Sequence, residues 1–130
     1  MAHWINIEEG SYVVDAALLF TPENTAVAVE DAVMEVYVDG NLDRRVRGSG
    51  MAISALIVEL LEDSDDMHLL LDLDKDFKYI LEIPVIRAGK ALAPDVKSLL
   101  HYTAQGPLKR LSNDDYEALR SRLLVIGPHS

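Results

Sequence analysis

Three arginines stand close together where the first positive charges of the chain occur. Arg44, Arg45 and Arg47 follow an opening third that contains nine acidic side chains and neither Lys nor Arg. Their segment, residues 42–50, is polar and contains two glycines, so it is predicted to be a loop. Guanidinium groups form bidentate hydrogen bonds with phosphates and carboxylates, and glycine lets the backbone approach a ligand. The trio is therefore predicted to bind an anionic ligand. The alternative is that it pairs with acids of the same chain.

Two acidic clusters could bind a metal ion. Asp72, Asp74 and Asp76 have the alternate-residue spacing that opens a calcium-binding loop. The rest of that motif is missing, because Phe77 and Ile83 stand where it requires a glycine and a bidentate glutamate. These acids are expected to keep a hairpin tip solvated, and no metal site is predicted. A solvated helix end is expected for the second cluster, which comprises Glu62, Asp63, Asp65 and Asp66.

Catalytic residues cannot be named from the sequence. The four histidines, His3, His68, His101 and His129, lack the short spacing of a helical metal pair, and His68 and His101 are interpreted as structural. Ser49 lies between two glycines but lacks the G-x-S-x-G frame of a nucleophile elbow. With no convergent constellation, the protein is predicted to be non-enzymatic and to need no cofactor.

Hydrophobic patterns predict the elements that must position these residues. A strand is predicted over residues 12–20, and residues 25–38 fit a strand or a helix, with strand favoured towards their end. Apolar residues at helical spacing predict a helix from about Met51 to Glu62. Hydrophobic and polar residues alternate over residues 67–83, which predicts a β-hairpin with one face in the core.

Two further helices are predicted in the last third of the chain. A short one follows Pro94 and ends before Gly106. The other begins at the N-cap Ser112 and continues with acids in its first turn. This order predicts an α+β domain, a mainly antiparallel sheet packed by two or three helices. The alternative is a small β-barrel with a C-terminal helix. The length of 130 residues suits one domain over residues 1–130.

Three features occur together over residues 42–125: the arginine-rich segment, the hairpin ending Glu82-Ile83-Pro84-Val85-Ile86-Arg87, and the terminal helix after Leu111-Ser112. In these features the chain loosely resembles PilZ domains, small β-barrels that bind cyclic di-GMP. The nucleotide motifs R-x-x-x-R and [DN]-x-S-x-x-G are absent: Gly48 and Ser49 stand four residues after Arg44 and Arg45, and Ala52 and Ile57 flank Ser54. The resemblance implies at most a degenerate anion or nucleotide sensor that uses Arg44, Arg45 and Arg47.

Charge and composition restrict the classes of function. The net charge is −10, and residues 1–43 alone carry −9, which disfavours binding to phosphodiester backbones. The absence of cysteine excludes disulfides and thiolate chemistry. Apolar runs are too short to span a membrane, and no targeting segment is evident, so a cytoplasmic protein is predicted. The composition favours a small acidic adaptor, chaperone-like or regulatory protein that docks a protein partner. The acidity favours a basic partner, and a homodimer is also allowed.

Overall fold

The fold is a continuous, mostly antiparallel sheet that curls into a half-barrel. The structure, a computed structural model, describes residues 8–53, 56, 66–74, 77–88, 97–106 and 108–126. Within these ranges the strands are β1 (Gly10–Val13), β2 (Ala16–Phe20), β3 (Thr25–Val38), β4 (Arg44–Ile53), β5 (His68–Asp74), β6 (Phe77–Glu82), β7 (Val85–Ala88), β8 (Lys97–Thr103), β9 (Leu108–Leu111) and β10 (Leu124–Val125). One helix, α1 (Asn113–Arg122), precedes β10.

Strand pairing divides the sheet into two halves that share β3. Half-sheet A contains β1, the second half of β3, β4, β8 and β7 in that spatial order. Half-sheet B contains the first half of β3, then β2, β5, β6 and β9. Two long hairpins run from one half-sheet into the other. In the first, β1 and β2 pair with β3. In the second, β7 pairs with β8 and β6 pairs with β9. These shared hairpins curl the sheet.

The long strand β3 bends where the two half-sheets meet. A β-bulge relative to β4 lies between Glu30 and Val33, and Asp31 within it adopts a positive φ of 51°. An extra residue bends a strand and shifts which side chains face the core. The buried series accordingly changes from odd to even positions: Val27 and Val29, then Ala32, Met34 and Val36. The bulge thus lets both half-sheets bury one face against the same core.

Half-sheet B is buried on both of its faces. Its inner face contributes to the main core, which also contains Met34, Leu100 and Tyr102 from half-sheet A. Its outer face is covered by α1, and the buried residues of this second cluster are Leu18, Phe20, Ala26, Leu70 and Tyr116. Burial on both faces explains why β2 and β5 are continuous apolar runs. The outer face of half-sheet A is covered by no helix of the described residues.

Several predicted elements are confirmed. The hairpin over residues 67–83 corresponds to β5 and β6, and residues 25–38 form a strand, whereas the single strand predicted over residues 12–20 is divided into β1 and β2. Helix α1 begins as predicted, since the Ser112 hydroxyl accepts a hydrogen bond from the Asp115 backbone N–H at 3.1 Å. The acids in the first turn and the arginines in the last turn interact favourably with the helix dipole.

The predicted α+β class, a sheet packed by two or three helices, is wrong. Residues 97–103, predicted as part of a short helix, form β8, and the predicted loop at residues 42–50 lies largely in β4. Residues 51–53, the predicted start of another helix, also belong to β4; the rest of that helix, except Leu56, lies outside the described residues. Pairing between distant strands overrides these local helix and loop signals. The alternative barrel with a C-terminal helix is closer to the observed half-barrel, although β10 follows α1.

Among the described ranges, no helix is long and apolar enough to cross a membrane.

Candidate functional site

The three predicted ligand-binding arginines lie on β4, at one end of half-sheet A. Because successive residues of a strand point to opposite faces and Val46 is buried, Arg45 and Arg47 lie on the outer face. Arg44 belongs to the opposite series and is exposed at the start of the strand. The structure therefore brings two of the three arginines together on one face.

Arg45 is paired with Asp39 in the turn between β3 and β4. The guanidinium donates a hydrogen bond to the Asp39 carboxylate, which also accepts hydrogen bonds from the backbone N–H groups of Asp43 and Asn41. The Arg45 hydrogen bond, followed by that from Asp43, holds the pKa of Asp39 below its ordinary value. The carboxylate stays ionised at neutral pH and closes the turn against β4.

Arg47 is also paired, with a carboxylate and an aromatic ring of β3. Its Nε donates to Glu35 Oε1 at 2.7 Å, and its guanidinium carbon lies 4.2 Å from the centre of the Tyr37 ring. The hydrogen bond to Glu35 raises the pKa of Arg47. The pairing of Arg45 and Arg47 within the chain agrees with the alternative interpretation of this trio. Anion binding there stays a prediction, because a ligand would have to compete with these carboxylates.

A groove of about 360 Å³ crosses the outer face of half-sheet A. Strand register aligns most of its lining in two rows: Ser11, Glu35, Arg47 and Thr103, and then Val33, Ser49 and His101. The groove therefore combines hydroxyl, carboxylate, guanidinium and imidazole groups with an exposed valine. Such a surface can hydrogen-bond a polar chain while it contacts an apolar side chain.

The floor of the groove is a close contact between Gly48 and Tyr102. A Cβ atom on Gly48 would lie 2.2 Å from the Val33 carbonyl oxygen and 2.3 Å from Tyr102 Cζ. The Tyr102 hydroxyl donates to that same carbonyl at 2.9 Å, and burial raises the pKa of the hydroxyl. Gly48 was grouped with the loop signals in the sequence, but its role is to make room for a buried tyrosine. The groove consequently has a rigid base.

Ser49 and His101 are cross-strand neighbours in the groove, so nucleophilic catalysis has to be considered. Activation of a serine requires a hydrogen bond to a base that a third group orients. Within the described residues, Ser49 and His101 form no such bond, and Glu35 is engaged with Arg47.

The other candidate metal or catalytic residues are engaged or lie outside the described residues. Asp72 pairs with Lys78 at 2.6 Å, and His68 Nδ1 accepts a hydrogen bond from the Ile83 backbone N–H at 3.2 Å. In the described ranges, no group of three or more His, Asp or Glu side chains could hold a metal ion. Outside them lie His3, Glu62, Asp63, Asp65, Asp76 and His129, and the Asp74 side chain.

A second cavity, of about 540 Å³, lies where β9 meets α1. Its lining comprises Arg110, Leu111, Ser112 and Asn113. A helix N-terminus attracts anions, but Asp114 and Asp115 already occupy the first turn of α1. Their charges disfavour an anionic ligand, which makes this cavity the weaker candidate.

None of the acidic residues of the first third is buried. Glu35 and Asp39 pair with the arginines described above, and Glu30 pairs with Lys97. Several others are exposed and form no ion pair with described residues; they are Glu8, Glu9, Asp15, Glu23 and Asp31. Four of these, Glu8, Glu9, Asp15 and Asp31, flank β1 and the bend of β3, and we call them the acidic side. The valine pair Val13 and Val33 lies next to them and is 74% and 44% exposed.

Sequence reasoning missed the groove; it predicted an acidic first third, but not which of its acids flank β1. One signal could have revealed β8: the buried residues Leu100, Tyr102 and Ala104 alternate with the exposed polar residues His101, Thr103 and Gln105. With β8 recognised as a strand, His101 and Thr103 would have been assigned to one exposed sheet face. The pairing of that face with β4 and β1 depends on long-range register, which the sequence does not display.

No family model matches this sequence, and no curated protein or solved structure gives a significant match. The resemblance to PilZ domains therefore stays a prediction.

Proposed function

We propose that this protein is a small binding module, with an adaptor or regulatory role, that docks a partner protein through its acidic side. The observation that supports this most is the group of exposed carboxylates, Glu8, Glu9, Asp15 and Asp31, which have no ion-pair partner among the described residues. Val13, which is 74% exposed, lies between Glu9 and Asp15 along the chain. A basic partner surface would neutralise the carboxylates while an apolar group covers the valine.

Physical chemistry favours a basic partner for this surface. Uncompensated like charges repel one another, and a complementary field speeds the encounter with an oppositely charged protein. Exposed charges are screened by salt over about 8 Å at physiological ionic strength. Binding should therefore weaken steeply with added salt, whereas the contact at Val13 should not.

The test is affinity purification with the full chain, followed by measurement of the affinity for the purified partner. In the test variant, Glu8→Gln, Glu9→Gln and Asp15→Asn remove three charges from the acidic side. In the control variant, Asp114→Asn, Asp115→Asn and Glu117→Gln remove three charges from the exposed side of α1. The two variants have equal net charge, so a difference between them reports the effect of the acidic side and not that of the overall charge.

We expect a basic partner whose affinity falls at least tenfold in the test variant and less than threefold in the control. A tenfold loss corresponds to about 1.4 kcal/mol. The same affinity for both variants, or binding that does not change between 50 and 500 mM salt, would contradict the proposal.

Three further properties belong to this proposal. The protein acts in the cytoplasm, does not bind nucleic acid, and can form a homodimer through a surface other than the acidic side. Light scattering of the purified chain measures its oligomeric state, and the acidic side should stay accessible in whichever state is found.

A second candidate function is the binding of a small anion in the groove. It is favoured by one observation, which is that Arg47 lines the groove together with Ser49, His101 and Thr103. If this function holds, inorganic phosphate or a cyclic dinucleotide should raise the melting temperature, because a ligand that binds the folded state stabilises it. Replacement of Arg44, Arg45 and Arg47 with alanine should abolish the shift. If the rise in melting temperature persists in this triple variant, the anion binds at another site.

A further inference from the structure

We infer that the outer edge of β1 receives an extended, basic segment of a partner protein as an added strand. The inference rests on the proposed function and specifies how its partner docks. Strand addition requires a sheet edge whose backbone groups point away from the sheet, together with side chains that select the incoming segment. Both are present along residues 8–15.

The backbone hydrogen bonds define which groups of β1 point outwards. The Val14 N–H donates to the Ala32 carbonyl of β3 at 3.0 Å, whereas the Asp15 N–H points the other way and donates to Asp72 of β5 at 2.8 Å. In an antiparallel pair this direction alternates from residue to residue. Ser11 and Val13 therefore direct their N–H and C=O groups away from β3.

No strand of the described residues pairs with that outward side of β1. The ladder between β2 and β5 runs from Phe20 opposite His68 to Ala16 opposite Asp72, so it stops before Val13, the last residue of β1. In the described topology β1 pairs only with β3. Such an edge is a template for another chain unless it is protected. The incoming strand would extend half-sheet A beside Ser11 and Val13.

The side chains at this edge select a basic and partly apolar segment. Glu8 and Glu9 precede the edge, and Asp15 follows it. Val13 is 74% exposed on the outer face beside Val33. Side chains of a strand alternate between faces, so one apolar side chain can cover Val13 while basic residues near the ends of the segment meet the acids.

Charge disfavours a second copy of this edge as the occupant. If two β1 edges paired in antiparallel orientation, Glu8 and Glu9 of one copy would approach Asp15 of the other. Like charges directly opposite each other destabilise a strand pair. The same acids attract lysine and arginine, so the complementary occupant is a basic segment of a different protein.

The test uses a synthetic peptide of alternating lysine and valine, acetylated and amidated, and the full chain. A matched peptide carries N-methyl groups on alternate residues along the edge that would face β1, so that it keeps the charge and loses the donors. We expect the N-methylated peptide to bind at least tenfold more weakly. Equal binding of the two peptides, or no binding of the unmethylated peptide, would overturn the inference.

A protein variant gives the complementary measurement. Val13→Pro removes an outward N–H and leaves the inward bond of Val14 in place, and proline is tolerated at sheet edges. The variant should keep its melting temperature within a few degrees and bind the unmethylated peptide at least tenfold more weakly. If it melts much lower, the comparison of the two peptides on the unmodified protein decides alone.

The outcomes separate the inference from the proposed function. If binding depends on Glu8, Glu9 and Asp15 but not on N-methylation, the acidic side docks partners without strand addition, and only the inference fails. If partner binding does not depend on these acids at all, the proposed function fails as well.

Discussion

Replacement of Gly48 with alanine is expected to destabilise the fold by about 3 kcal/mol, at the upper end of what overpacking usually costs. The new Cβ would overlap the Val33 carbonyl oxygen and the Tyr102 ring. The first of these belongs to a strand backbone, and the second is held by its own hydrogen bond to that carbonyl. Neither can move without separating β4 from its neighbours. Urea denaturation, monitored by circular dichroism, measures the loss.

Gly40 provides the matched control for this substitution. It lies in the turn between β3 and β4, and a Cβ there would meet nothing within 4 Å. Gly40→Ala should change the free energy of unfolding by less than about 0.5 kcal/mol, as is usual for surface positions. If Gly48→Ala were equally mild, the close packing of Tyr102 beneath the groove would be wrong.

Replacement of Tyr116 with alanine is expected to cost about 3–5 kcal/mol, the range for truncating a buried aromatic side chain. Tyr116 is the only residue of α1 that is buried, and it packs with Leu18, Phe20 and Leu70 on the outer face of half-sheet B. Its loss would leave a cavity between helix and sheet and would remove the main anchor of α1. The free energy of unfolding from chemical denaturation is the measurement.

Glu117→Ala is the control, because the neighbouring Glu117 is exposed on the same helix. It should change the stability by less than about 0.5 kcal/mol. A loss below 1 kcal/mol for Tyr116→Ala would mean that α1 contributes little to the fold. The continuous apolar runs of β2 and β5 would then need another explanation.

The correctly predicted elements are those whose signals are local. Helix α1 carries a serine cap, two acids and two arginines at the positions that favour its start and end, and these signals act within one or two turns. The hairpin of β5 and β6 combines alternation with a short polar turn. Local chemistry determines such elements, so the sequence was sufficient for them.

The wrong predictions concern strands that pair with distant partners. Gly48 and Gly50 suggested a loop, yet they lie in β4, where Tyr102 and Val29 occupy the space that side chains would fill. The segment after Pro94 suggested a helix, yet residues 97–103 pair with residues 47–53 along their whole length. The stability of such a strand comes from pairing with a strand far away in the sequence. Local propensity alone therefore predicts these segments wrongly.

The candidate site was only partly predictable for the same reason. The acidity of the first third was evident from composition, and so was the isolation of Arg44, Arg45 and Arg47. Which acids are already paired depends on the hairpin register that sets Arg47 opposite Glu35. The remaining carboxylates, and the edge of β1 between them, emerge only from the three-dimensional arrangement.

The most direct measurement for the central claim is a nuclear magnetic resonance titration of the full chain with the lysine–valine peptide. The account predicts that amide shifts are concentrated in residues 8–15 and in the adjoining part of β3, and that the Ser11 and Val13 amides become protected from hydrogen exchange. Shifts concentrated on α1 or at the junction of β9 and α1, with Ser11 and Val13 unchanged, would contradict it.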